Sequence, residues 1–417
     1  AVAPQAVLAS NTSSIPITAI APAAAEPSRV VGMHFFNPPP LMRLLEVIAG
    51  IDSSEESLAL ARATGEAMGK RVIDAVDGPG FLVNRCGRPF GGEALRLVQE
   101  RVAAHDQIDR VCRLGGGFRM GPFELMDLVG IDVGYEVARS FEAQSFGEPR
   151  WKPNPLQARM VAAGRLGRKT RRGWYDYSGE RHRPDDPEPP AVGGGDGMRV
   201  AVDGDGAVAR ELRALAQRAG FDTREPDEFG GQEEPQLIVD ASVPSPVADL
   251  DLGPPEGPPT LVLCAERSLS ERGLPEACGF HLLSPLESAR LVELTRLPTT
   301  AASTAAAAER FFGALGFHHE WVGDAPGLVL GRIVCQLVNE AAFALGEGVG
   351  SGDDIDAGLE LGLNHPRGPV AWGDAIGPEH VLATIDGLWS ERHEERYRAA
   401  PLLRRAVATG TSLRDAR

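Results

Sequence analysis

The chain has 417 residues, which at about 100 to 200 residues per domain excludes a single small module. Apolar residues make up 43% and charged residues 24% of the chain, so we expect folded domains with real cores. The net charge of −16 opposes attraction to a phosphate backbone and argues against a nucleic-acid partner.

Cysteine usage and hydropathy indicate the compartment. The five cysteines are scattered and form no CxxC pair, which is typical of reduced thiols in a cytoplasmic protein and argues against a metal site. No apolar stretch of about 18 residues and no signal-like segment occur, so we expect no membrane partner. The first residue is Ala1, and residues 7–10 already have a strand pattern, so we expect the sequence to begin inside a domain.

An internal repeat organises the sequence. Two stretches superpose without a gap at a constant offset of 247 residues. The matched pairs are His34 with His281, Glu46 with Glu293, Gly80 with Gly327, Arg85 with Arg332, Glu93 with Glu340, Asp109 with Asp356, Pro122 with Pro369, and Asp127 with Asp374. Chance would not keep this register over about a hundred residues, so the sequence predicts a duplication.

In chain order, residues 1–76 contain four strand patterns and, at 54–69, a helical pattern, but no glycine-rich turn precedes them. We predict that 1–76 are the C-terminal part of a truncated Rossmann-type NAD-binding domain. Residues 77–177 have a helical pattern, with turn signals at 115–117 and Pro122 just inside a helix start. They predict a helical domain.

Residues 178–197 are Pro, Gly and charged residues, which predicts an exposed linker. A second, compressed Rossmann-like lobe is expected at 198–322, where a strand leads through Gly204, Gly206 and Ala209 into a helix. Buried parallel strands are expected at 236–242 and 260–266. A second helical domain is expected at 323–417, so the fold class is α/β plus all-α, duplicated.

A His–Glu pair is the strongest candidate for chemistry. His34 and Glu46 lie symmetrically about a Pro-rich turn near Pro40, so a hairpin would place them opposite each other. The carboxylate would then orient the imidazole as a general base. The alternative is a histidine at a strand end beside a solvated glutamate. Recurrence of the pair as His281 and Glu293 favours the functional interpretation.

Five segments carry a family resemblance. GMHFFNPPPLMRLLEVI at 32–48, SNTSS at 10–14, DGPGFLVNR at 77–85, GFRMGPFELMDLVGID at 117–132 and GRKTRRGWYDY at 167–177 resemble the NAD-dependent L-3-hydroxyacyl-CoA dehydrogenases. Within that family the chain is most similar to the long bacterial forms that act on 3-hydroxybutyryl-CoA or 3-hydroxyadipyl-CoA. The resemblance covers nearly the whole chain.

The resemblance implies a function and roles for single residues. His34 would be the catalytic base and Glu46 its partner, Ser13 would hydrogen-bond the substrate oxygen, and Asn84 would hold the acyl carbonyl. Asn11 would lie near the nicotinamide, with Ser13 and Asn37 as further candidates on the cofactor side. The implied cofactor is NAD, the implied substrate an acyl-CoA, and the implied assembly a homodimer through the helical domains. The pathways implied are β-oxidation, aromatic-acid (phenylacetate) breakdown and butyrate-type metabolism.

Departures from the family leave alternatives open. The glycine turn and acidic ribose partner of the first copy would lie upstream of Ala1, so a truncated, inactive acyl-CoA-binding or structural fragment is the rival hypothesis. The second copy has a glycine turn and Glu225, but it reads Ser284 in place of Asn37 and Gly331 in place of Asn84. Thr260 or Ser268 would take the place of Ser13. The basic run at 165–172 is either a solvated loop or a contact for coenzyme A.

Overall fold

The computed structural model describes residues 3, 5–230, 233–243 and 257–416. Helices and strands group into two α/β lobes, each followed along the chain by a set of helices. We call them the first lobe (5–78), the first helical region (79–177), the second lobe (198–323, apart from the residues not described) and the second helical region (324–416).

The first lobe is a four-stranded sheet in the order β1-β2-β3-β4 with one flanking helix of several turns. The β2–β3 pair is antiparallel, and the other two pairs are parallel. All four predicted strands and the predicted helix are present, and Ser54 caps that helix by accepting the amide of Ser57. The elements are β1 (Leu8–Ser10), α1 (Ile17–Ile20), β2 (Val30–Phe35), β3 (Leu44–Ala49), α2 (Glu55–Ala67) and β4 (Arg71–Val76).

The first helical region begins directly at the edge of that lobe. Pro122 is the first residue of a helix, as its position after Gly121 predicts, because proline lacks the amide hydrogen that the first turn leaves unpaired. The helices are α3 (Val83–Gln99), α4 (His105–Arg110), α5 (Pro122–Val129), α6 (Ile131–Gln144) and α7 (Pro155–Ala162).

The described residues of the second lobe form a sheet of seven strands in the order β11-β10-β9-β8-β7-β5-β6. The glycine turn connects β5 to α8, and β7 pairs with β8 in parallel, both as predicted. The compressed sequence still builds seven strands because several of its elements are only three or four residues long. They are β5 (Arg199–Asp203), α8 (Ala207–Arg218), β6 (Asp222–Arg224), β7 (Leu237–Asp240), β8 (Thr260–Leu263), α9 (Leu269–Arg272), β9 (Cys278–His281), β10 (Leu291–Arg296), α10 (Ala302–Ala314) and β11 (His318–Trp321).

The second helical region follows β11. Its first helix is buried along nearly its whole length, because apolar residues cover most of it and its polar residues Arg332, Gln336 and Glu340 are buried as well. The helices are α11 (Leu330–Gly346), α12 (Gly352–Leu363), α13 (Pro369–Ile376), α14 (Pro378–Arg392) and α15 (Pro401–Thr409). One apolar core runs from the first lobe through both helical regions, while the sheet of the second lobe packs around a core of its own.

The two helical regions pack on each other through α3 and α11, with ion pairs that cross between them. Arg85 Nε donates to Glu340 Oε1 at 2.9 Å, and Arg332 Nε donates to Glu93 Oε2 at 2.9 Å. The second pair consists of the residues 247 positions from the first pair, with donor and acceptor exchanged between the helices. The contact therefore has an approximate twofold axis inside one chain.

Each lobe also contacts the helical region of the other half. Arg290 and Gly323 of the second lobe donate backbone hydrogen bonds to Leu114 and Val102 of the first helical region. Arg71 of the first lobe pairs with Asp354 of the second helical region at 3.1 Å. Each lobe therefore packs against the helical region of the other half of the chain.

The segment 178–197 is mostly exposed, as predicted for a linker, but it is held in place. Arg113 donates twice to Asp186, and His182 and Arg183 bind Glu124 Oε1 at 2.9 Å and 2.6 Å. Burial raises the pKa of Glu124, but the hydrogen bonds from His182 and Arg183 outweigh it and bring that pKa to about 2. The composition of this segment predicts its exposure but does not predict these ion pairs.

Candidate functional site

The predicted hairpin places His34 opposite Glu46, which confirms the pairing inferred from their spacing. His34 Nδ1 lies 2.6 Å from Glu46 Oε2, and the two residues are 4% and 0% exposed. A buried carboxylate needs donors around it, and this one has three. Besides the imidazole, the backbone amides of Leu82 and Val83 donate to its Oε1, both at 3.0 Å.

These contacts determine which nitrogen of His34 is free. The two amides belong to the N-cap residue and the first residue of α3, where unpaired amide groups and the positive end of the helix dipole stabilise an anion. An ionised carboxylate only accepts hydrogen bonds, so Nδ1 carries the proton and Nε2 keeps its lone pair. The ring packs near Phe36 and Phe81, at centroid distances of 4.6 Å and 5.8 Å. This is an oriented imidazole with one nitrogen free to accept a proton.

Asn84 follows Val83, whose amide binds Glu46, and lies in the first turn of α3. Its side chain is partly buried. Gly80, four residues earlier, has φ +71°, and a Cβ there would lie 2.1 Å from the Phe141 ring. Only glycine therefore lets the chain turn into α3 beside α6.

Asn11 and Ser13 lie at the carboxyl end of β1, beside β2. Asn11 Oδ1 accepts the amide of Phe35 at 2.9 Å, so this side chain ties the loop to the strand that carries His34. Ser13 is exposed, and its hydroxyl has no hydrogen bond within the described part of the chain. The loop is held against α6, where Ser140 and Gln144 donate to the carbonyl of Ser14. Asn37 is exposed in the turn between β2 and β3.

The second copy keeps the strand pairing but not the geometry. His281 lies opposite Glu293, and Glu293 accepts the amides of Val329 and Leu330 as Glu46 does those of Leu82 and Val83. Yet His281 Nδ1 is 4.0 Å from Glu293 and has no hydrogen-bond partner among the described residues, while its Nε2 lies 3.4 Å from His380.

Burial changes the charges of this second pair. It lowers the pKa of His281 well below its usual value, helped by His380, and it raises the pKa of Glu293 to about 8. A Cβ on Gly331 would lie 2.2 Å from His281 Cε1, so the imidazole occupies the space of an asparagine side chain. Ser284, the counterpart of Asn37, is buried. Of the two candidates to replace Ser13, Thr260 lies in β8 and Ser268 caps α9, and neither hydroxyl is bound to His281.

The chain has features that fit a dinucleotide. In the second lobe Gly204 has φ +106°, and a Cβ there would lie 2.8 Å from the amide nitrogen of Ser242. A Cβ on Gly206 would meet no atom within 4 Å, which leaves open space in front of α8. Glu225 pairs with Arg213 at 3.2 Å. Within 5–78 the structure has no such turn, and the polar loop with Asn11 and Ser13 follows the carboxyl end of β1.

Other candidate features lie apart from the dyad. The basic run at 165–172 is mostly exposed, and Lys169 pairs with Asp132. A cavity of about 1010 Å³ lies between β4 and the loop from α11 to α12, and none of the predicted site residues lines it. Among the described residues no three His, Cys, Asp or Glu side chains form a group suited to a metal ion. No described helix has both the length and the hydropathy needed to cross a membrane.

The sequence interpretation missed Arg88, which lies one helical turn beyond Asn84 on α3. Its guanidinium stacks over the Phe141 ring at 4.8 Å, and no carboxylate of the described residues pairs with it. The signal in the sequence was the spacing of four residues from Asn84, which places both side chains on one face of a helix.

Family models match both halves of the chain. The model for the NAD-binding domain of 3-hydroxyacyl-CoA dehydrogenase matches residues 1–78. The model for the C-terminal domain of the same enzymes matches residues 80–177 and again 327–416.

Among the relatives, 3-hydroxyadipyl-CoA dehydrogenase of Escherichia coli is 33% identical over 96% of this chain and 74% of that protein. The probable 3-hydroxybutyryl-CoA dehydrogenase of Deinococcus radiodurans is 44% identical over 42% of this chain and 63% of its own length. The crystal structure of 3-hydroxybutyryl-CoA dehydrogenase from Escherichia coli K12 has 30% sequence identity and a TM-score of 0.77, covering 98% of this chain and 76% of that one. The chain belongs to the family of NAD-dependent 3-hydroxyacyl-CoA dehydrogenases.

Proposed function

We propose that this chain oxidises an L-3-hydroxyacyl-CoA to the 3-oxoacyl-CoA with NAD, or catalyses the reverse reaction. The observation that carries the proposal is the buried His34–Glu46 pair, whose carboxylate is held by the amides of Leu82 and Val83. The names of the relatives support short acyl chains as substrates.

His34 removes the proton of the C3 hydroxyl at its free Nε2. The product of that transfer is an imidazolium beside Glu46, and the ionised carboxylate stabilises it at 2.6 Å. NAD, when bound, accepts the hydride that leaves C3. In the reverse direction His34 returns the proton to the C3 oxygen.

The remaining site residues act by position. Ser13 hydrogen-bonds the C3 oxygen, Asn84 holds the acyl carbonyl, and Asn11 lies on the nicotinamide side, with Asn37 as a further candidate there. The loop from Asn11 to Ser14 is held by β2 and α6, which supports a fixed position for Ser13.

The architecture we propose is a duplicated one. The offset of 247 residues, which also separates the two starts of the C-terminal family match at 80 and 327, supports it. The proposed domains are 1–76, 77–177, the linker 178–197, 198–322 and 323–417. A homodimer stays a prediction, and it would use surface outside the α3–α11 contact, which is already buried within one chain. A cytoplasmic location rests on five free, buried cysteines.

The test is an assay of acetoacetyl-CoA reduction with NADH and, separately, NADPH. We expect saturable oxidation of NADH and a clear preference for it over NADPH. Binding of acetoacetyl-CoA without turnover of either nucleotide would favour the rival hypothesis of an acyl-CoA-binding protein.

A further inference from the structure

The positive charge of Arg88 on α3 takes no part in the proposed catalytic step. Arg88 is partly buried, and burial lowers its pKa to about 10, so the guanidinium still carries its charge at neutral pH. Its one charge-related contact in the described chain is with the Phe141 ring. A partly desolvated cation that pairs with no carboxylate is unfavourable, and a bound anion would stabilise it.

Arg88 lines a small cavity between α3 and α11, together with unpaired hydrogen-bond donors. Gln336 Nε2 and Trp151 Nε1 are buried donors without a partner among the described residues, and the two side chains are 6% and 7% exposed. These two buried unpaired atoms are therefore both donors. A ligand of this cavity must accept hydrogen bonds.

The charges around the cavity leave one cation in excess. Its lining includes Arg88, Arg150 and Arg396 against two carboxylates, Glu93 and Glu340. Both carboxylates are already bound, Glu340 by Arg85 and Arg150, and Glu93 by Arg332 and Tyr397. Arg88 is left as the charge that is not neutralised.

One lining residue of the cavity, Arg88, lies one turn along α3 from Asn84, the residue that holds the acyl carbonyl in the proposed function. Asn84 and Arg88 lie four residues apart on one face of α3, which corresponds to about 6 Å along the helix axis. A short chain of carbon–carbon bonds of about 1.5 Å each covers such a distance. An acyl chain held at Asn84 can therefore place its far end at Arg88.

We propose that Arg88, with Gln336 and Trp151, binds the terminal carboxylate of a 3-hydroxyacyl-CoA whose acyl chain ends in a carboxyl group. This assignment rests on the proposed dehydrogenase function. A guanidinium fork matches a carboxylate with two parallel hydrogen bonds, and the amide and indole nitrogens supply further donors. Because Gln336 belongs to α11, the second half of the chain completes the substrate pocket of the first.

The test compares two substrates of equal length, 3-hydroxyadipyl-CoA, which ends in a carboxylate, and 3-hydroxyhexanoyl-CoA, which ends in a methyl group. We expect the wild-type protein to prefer the first by about 10²-fold in kcat/KM, since a charge-assisted pair is lost with the second. Arg88→Met should lower kcat/KM for 3-hydroxyadipyl-CoA by about 10²-fold, mainly through KM, and leave 3-hydroxyhexanoyl-CoA within about threefold.

Two further variants separate recognition from structure. Arg88→Lys should recover part of the lost activity because it restores the charge, and Gln336→Leu should cost about 10-fold for the carboxylate substrate alone. Arg139→Met, on the exposed surface of α6, is the matched control and should change neither substrate.

Equal kcat/KM of the wild type for the two substrates, or an equal loss for both in Arg88→Met, would overturn the assignment. If Arg88→Met does not fold, the wild-type preference and Gln336→Leu decide the question. Failure of the wild type to turn over either substrate, or acetoacetyl-CoA, would instead overturn the dehydrogenase proposal itself.

Discussion

His34 Nδ1 is hydrogen-bonded to the carboxylate of Glu46, so proton transfer in the proposed reaction depends on Nε2. We expect His34→Ala to lower kcat by about 10² to 10⁴-fold, the usual effect of losing a general base. Glu46→Gln should lose less, because it removes a charge and leaves the imidazole. Steady-state kinetics with acetoacetyl-CoA and NADH measure both. Turnover of His34→Ala near the wild-type rate would remove His34 from the reaction.

The same substitution in the second copy should have little effect. His281 is 1% exposed, faces His380, and lies 4.0 Å from Glu293. A base outside its productive geometry contributes little, since a displacement of about 1 Å can cost about 10²-fold. We expect His281→Ala to keep kcat within about twofold in the same assay. Loss of activity in a folded protein would show that the second copy is a working site.

A buried histidine predicts an acid-sensitive fold. Burial lowers the pKa of His365 from 6.5 to about 4. Between these values the unfolded chain binds a proton that the folded chain does not, so this contribution to stability is full above pH 6.5 and falls as the pH drops toward 4.

We expect His365→Phe, which keeps a ring beside Phe90 and Phe118, to remove about 2 kcal/mol of the stability difference between pH 7 and pH 5. Urea unfolding at both pH values measures it, with the exposed His393→Asn as the control. An unchanged pH dependence in His365→Phe would contradict the prediction.

At the scale of elements, the imidazole of His281 fills the space that a side chain on Gly331 at the start of α11 would occupy. Gly331→Ala should destabilise the chain by about 1 to 3 kcal/mol, because its Cβ would overlap the ring. In the His281→Ala background the same change should cost little. Gly313→Ala in α10, where a Cβ meets no atom within 4 Å, is the control and should be neutral or stabilising. Equal costs of Gly331→Ala in both backgrounds would show that this overlap does not cause the loss.

The elements themselves were predictable where pattern and repeat agreed. Alternation, the Pro-rich turn and the recurring offset were sufficient to pair His34 with Glu46 and to locate the turn at Gly204. The displaced ring of His281 was not predictable, because it depends on the volume that Gly331 leaves free. Nor was the unpaired Arg88, because a sequence does not show which arginines find carboxylates across α3 and α11.

At the scale of the whole molecule, crossed ion pairs join the two halves. Arg332 is fully buried and binds Glu93 and Glu100, so Arg332→Met would leave two carboxylates without their main cation. We expect a loss of about 3 to 5 kcal/mol in the free energy of unfolding, measured in urea. Arg404→Met, which breaks an exposed pair with Asp386, should cost less than about 1 kcal/mol. Similar small losses in both variants would show that the buried pairs do not stabilise the contact.

The sequence predicted two helical domains but not their mutual packing. The homodimer that the resemblance implies stays a prediction, and the packing of α3 on α11 lies within one chain. Long-range pairing of this kind depends on charges hundreds of residues apart, such as Arg85 and Glu340, and no local pattern reports it.

Because α3 and α11 belong to one chain, their contact does not weaken when the protein is diluted. Two separate subunits that share such a surface come apart as their concentration falls, because association obeys mass action. Here the segment 178–197 joins the two halves covalently, so their contact forms within one molecule and does not depend on protein concentration. The walls of the Arg88 cavity, which come from both halves, therefore stay assembled in a single molecule at any expression level.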